Sequence, residues 1–154
     1  MNLAELGARE SIRDIVARYN SYGDSGRIDA MMALFAPDAR MEIAGGECCE
    51  GVDAIRAFFS GVARPDSGRR PPQRIQHHTA THQIDIVDAQ SATGRCYFAV
   101  YTADGLDHWG RYIDEYILQS DTWKFRSRRV HVDGYIPGGW GAPSPQPVDG
   151  SYSG

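Results

Sequence analysis

Cysteine is scarce in this sequence: Cys48, Cys49 and Cys96 are its three, an odd count with two of them adjacent. Adjacent cysteines bridge only with strained geometry, and no second cysteine or histidine pair stands at zinc-finger spacing. That excludes a disulfide framework and leads us to expect free thiols in a reducing, cytoplasmic setting. Long apolar runs are missing too. No stretch approaches the roughly 20 residues of a membrane span. The opening Met1-Asn2-Leu3-Ala4-Glu5-Leu6 has no basic region leading into an apolar run, so no secretion signal is expected. Positive charge is not gathered into a stripe. The formal net charge is −4, and the clusters Arg69-Arg70 with Arg74 and Arg126 with Arg128-Arg129 are short. A nucleic-acid partner needs more than that to neutralise phosphates, and none is expected. No glycine-rich phosphate loop follows a strand, and no G-x-S-x-G nucleophile motif is present. Neither a nucleotide cofactor nor a serine nucleophile has support, and the expected cofactor set is empty.

What is present is an ordinary globular mixture in 154 residues, 42% hydrophobic and 23% charged, enough for one core. From Leu6 to Tyr22 apolar side chains recur at helical spacing through Ile12, Ile15, Val16 and Tyr19, and Gly23 and Gly26 end the helix. A second short helix is expected over Arg27–Phe35, stopped by Pro37-Asp38. Ala39–Ala44 alternates as a strand, Gly45-Gly46 marks a turn, and Glu47–Glu50 completes a hairpin. A third helix follows over Val52–Val62, and Arg64–Pro72 reads as an exposed loop. The period then becomes extended. Strands are expected over Ile75–Val87, Ala92–Ala103, Trp109–Gln119 and Thr122–Val132, rich in β-branched and aromatic residues. The links Asp88–Ser91, Asp104–Asp107 and Ser120-Asp121 are short and polar, which predicts antiparallel hairpins. Helices first and strands later is an α+β arrangement. We expect a cone-shaped barrel over residues 1–133: three N-terminal helices packed on a curved mixed or antiparallel sheet, with a pocket between. Residues 134–154 are rich in Gly, Pro and Ser. The cost of exposing Tyr135, Ile136 and Trp140 predicts that the first half of this tail packs near the pocket.

Several of these segments carry a resemblance. Ile12–Tyr19 with Gly23-Asp24, Asp29–Ala39, Gly51–Phe58, Gln76–His82, Gly110–Tyr112 and Trp123–Phe125 together resemble the polyketide-cyclase-like (SnoaL-like) branch of the nuclear transport factor 2 superfamily, over most of residues 7–133. The site pattern is similar to that of scytalone dehydratase, bile-acid dehydratase and lindane dehydrochlorinase. Asp24, His77 and Arg128 stand at positions resembling the dehydrochlorinase's catalytic set. Tyr19 stands where that enzyme has a lysine, and so resembles the dehydratases better. The resemblance implies a homo-oligomer, a trimer in preference to a dimer.

Read as chemistry, His77 can take or give a proton near neutral pH. Asp24 nearby would set its tautomer and stabilise the protonated ring, although Asp beside Gly23 reads equally well as a turn or cap residue. Arg128 can hold developing negative charge. Simple alternation from Trp123 and Phe125, however, puts Arg129 on their side and Arg128 opposite, unless a bulge changes the parity. Tyr19 and Tyr22 can donate hydrogen bonds into a pocket or simply fill the core. Alternation puts His78 and His82 on one face of their strand and His77 on the other, and with no acidic third ligand a metal site is not expected. The function expected first is a cofactor-independent lyase, a dehydratase before a dehydrohalogenase or a carbon–carbon cleaving enzyme. Its expected ligand is a small, largely apolar cyclic or aromatic molecule. A ketone isomerase or polyketide cyclase, and a non-catalytic binding module, are the alternatives.

Overall fold

The computed structural model describes residues 1–43, 46–62 and 74–143. The turn expected at Gly45-Gly46 lies partly, and the loop Arg64–Pro72 and the end of the tail lie wholly, outside the described residues.

Helix α1 runs Leu3–Asp24, longer at both ends than expected. Asn2 starts it by accepting the Glu5 amide at 2.9 Å, an N-cap that satisfies one otherwise orphaned donor. Ile12, Ile15, Val16 and Tyr19 form its buried stripe. Helix α2 covers only Ile28–Met32. The expected continuation to Phe35 is corrected, because Phe35 already begins strand β1, Phe35–Ile43. Pro37 sits inside that strand rather than stopping a helix. It is tolerated there because β1 pairs with its neighbour only at Phe35 and again from Arg40 onward, so the missing N–H leaves no ladder bond unmade. Strand β2 (Glu47–Glu50) and helix α3 (Val52–Val62) have the expected bounds.

Four long strands follow: β3 (Ile75–Ile86), β4 (Ser91–Thr102), β5 (Gly105–Gln119) and β6 (Thr122–Tyr135). The sheet order is β2-β1-β6-β5-β4-β3. Its β1–β6 pairing is parallel and the rest antiparallel, so the sheet is mixed. Among the described residues the edges β2 and β3 do not pair, and the cone stays open between them. The three helices cover the concave face in an α+β cone, and the core lies between the layers. Phe35 and Phe125 (5.1 Å between ring centroids) and the stacked Phe98–Tyr112 pair (4.6 Å) are its aromatic centre.

The register breaks at several points, and the breaks decide which side chains face in. One lies between Ala80 and Gln83 on β3, where Thr81 has φ 52°. Another lies between Val100 and Tyr101 on β4, opposite Asp107 of β5. A third lies between Glu115 and Tyr116 on β5, opposite Arg126 of β6. Each inserts one residue and flips the alternation beyond it.

Candidate active site

Between the C-terminal end of α1, helix α3 and the concave sheet lies a cavity of about 420 Å³. Its wall is mostly apolar, with Phe58 and Phe59 of α3 opposite Phe98 and Val130 of the sheet. Tyr19, Asp24, His77, His108, Tyr112 and Trp140 are its polar or amphipathic members.

Asp24 is the last residue of α1. A carboxylate there sits at the unfavourable, negative end of the helix dipole. It does not cap the helix, because the C-cap is Ser25 through its backbone, and it does not start α2. Its carboxylate crosses to β3 instead. Oδ2 accepts the backbone N–H of His77 at 2.8 Å, and Oδ1 lies 2.6 Å from His77 Nδ1. An ionised carboxylate only accepts, so Nδ1 carries the hydrogen and Nε2 is left as the ring's basic lone pair. The pair is partly buried, with side chains 22% and 19% exposed.

The extra residue at Thr81 turns His82 to the same face as His77, and the expected pairing of His78 with His82 is corrected. His78 is exposed beside Tyr101, while His82 reaches to 3.4 Å from the Tyr116 hydroxyl. Among the described residues no three His, Cys, Asp or Glu side chains cluster in the manner of a metal site.

Arg128 faces inward because Arg126 is a bulge, which corrects the parity of simple alternation. Arg129 is exposed and donates to Glu42 at 2.7 Å. Arg128 is not, however, part of the cavity wall. Its guanidinium donates to both oxygens of Asp114, at 2.8 and 2.7 Å, and both side chains are 0% exposed. It also lies over the rings of Tyr112 (4.0 Å), Tyr19 (4.2 Å) and Phe125 (4.3 Å), with Nη1 unpartnered among the described residues. The structure thus brings His77, Asp24 and Tyr19 together at the cavity and sets Arg128 behind two of its aromatic walls. Burial pushes the Tyr19 phenol above its ordinary value, opposed by Arg128. Burial, with Tyr19 adding, holds the Tyr112 phenol well above its ordinary value. Both hydroxyls therefore remain protonated donors.

A second His–Asp pair lines the same cavity and was not anticipated. His108 Nδ1 lies 2.7 Å from Asp107 Oδ2, with side chains 10% and 6% exposed. Asp107 also accepts the backbone N–H groups of Trp140 (2.7 Å) and Gly141 (2.8 Å), which ties down the segment after β6. Burial lowers the His108 ring's affinity for a proton, against the pull of Asp107. For Asp107 burial acts upward, but the Gly141 N–H, His108 and the Trp140 N–H outweigh it and its carboxyl is held below its ordinary value. The pair was missed because Asp104–Asp107 reads as a polar turn. The available signal was the alternation Tyr116, Asp114, Tyr112, Gly110, which continued backwards puts His108 on the inner face.

The SnoaL-like domain family matches residues 4–129. The chain belongs to the SnoaL-like family. Structures similar to this SnoaL-like protein include a candidate scytalone dehydratase from Novosphingobium aromaticivorans (TM-score 0.79, 19% identity, 97% of this chain and 98% of that one). Hexachlorocyclohexane dehydrochlorinase LinA-type3 from Novosphingobium barchaimii is another (TM-score 0.75, 16% identity, 88% and 93%). A Mycobacterium tuberculosis protein of unknown function, in a singly substituted form, is a third (TM-score 0.72, 25% identity, 89% and 79%). The first two likenesses speak to the fold alone. A search of curated protein sequences gave no match. No described helix of this SnoaL-like chain is long and apolar enough to cross a membrane.

Proposed function

We propose that this SnoaL-like protein is a cofactor-independent lyase, a dehydratase in the first place, acting on a small, largely apolar cyclic or aromatic substrate. The observation that carries the reading is the Asp24 carboxylate gripping both the backbone N–H and the Nδ1 of His77 at the edge of an apolar cavity. In the proposed reaction His77 Nε2 takes a proton from carbon. The C–H electrons form the new C=C bond and the C–O bond breaks. The departing oxygen receives the proton back from the imidazolium and leaves as water, which returns His77 to its neutral form. Asp24 stabilises the transient imidazolium. The Tyr19 hydroxyl donates to the departing oxygen, in keeping with a phenol that stays protonated. Arg128, neutralised by Asp114, positions the Tyr19 and Tyr112 rings. From the family resemblance we also propose a homo-oligomer, a trimer before a dimer, measured by sedimentation equilibrium.

The test is a panel of cyclic and aromatic alcohols, including a β-hydroxy tetralone whose dehydration gives a fluorescent naphthol. Product mass and deuterium exchange at carbon are followed for the wild type and His77→Gln. We expect loss of one water, reduced about a hundredfold to ten-thousandfold in the variant. Exchange without mass change would instead indicate an isomerase or cyclase. Binding with neither would leave a non-catalytic ligand module.

A further inference from the structure

His77 and His108 stand in one row of the sheet, since His77 is opposite Val100 and Val100 is opposite His108. Residues opposite one another share a face, so both imidazoles project to the cavity side from backbones two strand spacings, about 10 Å, apart. The two rings are built alike. Each gives its Nδ1 hydrogen to a carboxylate, Asp24 for one and Asp107 for the other, and each keeps an Nε2 acceptor without a partner among the described residues while lining the same cavity.

The support behind His108 is close. Asp107 is the inserted residue of its bulge and turns inward beside His108. It accepts two further backbone N–H groups, from Trp140 and Gly141. A Cβ on Gly141 would come to 2.3 Å from the His108 ring, and one on Gly139 to 2.8 Å from Asp107 Oδ1, so these glycines let the segment lie flat on the pair. Trp140 brings its own ring to 5.8 Å from that of His108. An anchor for the segment needs the carboxylate but not the imidazole.

We propose that Asp107–His108 is a second tautomer-locked acceptor of the cavity, and that the ligand is a small apolar ring compound carrying two O–H donors, one for each imidazole. The proposal rests on the reading of this cavity as the substrate site and goes on to name what the substrate presents: to His77 the hydroxyl that departs, resting on Nε2 until that atom turns to the neighbouring C–H, and to His108 a hydroxyl that holds the ring. The physical reason is desolvation. A ligand that fills an apolar cavity strips water from both Nε2 atoms, and an acceptor covered without a donor is penalised. A ligand with one hydroxyl leaves one imidazole covered and unpaired, and a site built in this way rejects it.

The test compares a naphthalenediol with one hydroxyl on each ring against naphthol, by calorimetry and by NMR of protein labelled with ¹⁵N-histidine. The diol is expected to bind about tenfold tighter, the worth of one net hydrogen bond, and to shift the Nε2 resonances of both His77 and His108. In His108→Phe, which keeps a ring but no acceptor, the diol's advantage is expected to vanish, naphthol gaining the affinity that the covered, unpaired Nε2 had cost it. A diol that binds no tighter than naphthol, an advantage that survives the substitution, or a shift confined to His77 would each overturn the proposal. The wild-type NMR does not depend on the variant folding. A protein that engages the diol with both imidazoles yet releases no water from any alcohol in the panel would defeat the lyase reading and leave this one standing.

Discussion

Asp24 and Arg128 were both singled out from sequence, and their surroundings differ in kind. Asp24 is partly exposed and holds an imidazole whose other nitrogen has no partner among the described residues, so on the proposed reading it serves the chemistry. Asp24→Asn is expected to leave the fold intact and to lower turnover in the alcohol panel by about a hundredfold or more, since an amide no longer dictates the His77 tautomer. Arg128 is enclosed together with the rings its guanidinium lies over. Arg128→Met leaves the Asp114 carboxylate buried without a cation, held by the Tyr116 hydroxyl at 2.8 Å, and is expected to cost about 3–5 kcal/mol, read as the midpoint of urea unfolding. The double variant Arg128→Met with Asp114→Leu should recover most of that loss. A double variant as unstable as the single one would show that the guanidinium does more than balance Asp114. Two histidines make stability depend on pH. Burial lowers the pKa of His82, with Arg128 and Arg13 adding and Asp114 opposing. Burial also lowers that of His108, with Asp107 opposing and His77 adding. The folded state therefore resists protonation that the unfolded chain accepts near pH ~6.5. Stability should be complete above that value and fall as pH drops below it. The urea midpoint at about pH 5.5 should lie below that at about pH 7.5, and His82→Gln should shrink the difference.

At the scale of the element, single inserted residues do much of the aiming. Without the extra residue at Arg126, strict alternation would turn Arg128 to the outer face and Arg129 inward. Deleting Arg126 is therefore expected to abolish the cooperative unfolding transition rather than merely lower its midpoint. The inserted Asp107 works differently: it places an acid beside a histidine on one face, which an unbroken strand forbids. The glycines after β6 complete that arrangement. In Gly141→Ala the new methyl meets the His108 ring. The segment should lift, and Trp140 emission should move toward longer wavelength relative to a Trp140→Phe background. Unchanged Trp140 emission would mean that the ring yields instead.

For the molecule as a whole, the cavity draws its polar and amphipathic side chains from places far apart in the chain: Tyr19 and Asp24 on α1, His77 on β3, His108 and Tyr112 on β5, and Trp140 beyond β6. Much of this was legible in the sequence. The three helices, the strands after Ile75 and the α+β order follow from apolar periodicity and β-branched content, which are local properties of the chain. His77 with Asp24 was legible too, through the family pattern around Gln76–His82 and Gly23-Asp24. Four things were not. The parallel pairing of β1 with β6 joins segments nearly ninety residues apart. The inward turn of His82 and of Arg128 depends on bulges, which exist only once two strands are in register. The place of Arg128 behind Tyr19 and Tyr112, rather than in the cavity, depends on Asp114, which stands opposite it on β5. The Asp107–His108 pair depends on a turn so tight that β5 begins at Gly105, and on backbone N–H groups from Trp140 and Gly141 that reach it only in the folded chain. Local pattern decides which segments become helix or strand, because it acts over a few residues. Register, bulges and hydrogen bonds between distant segments decide which side chains meet, and so the second half of this site came from tertiary structure alone.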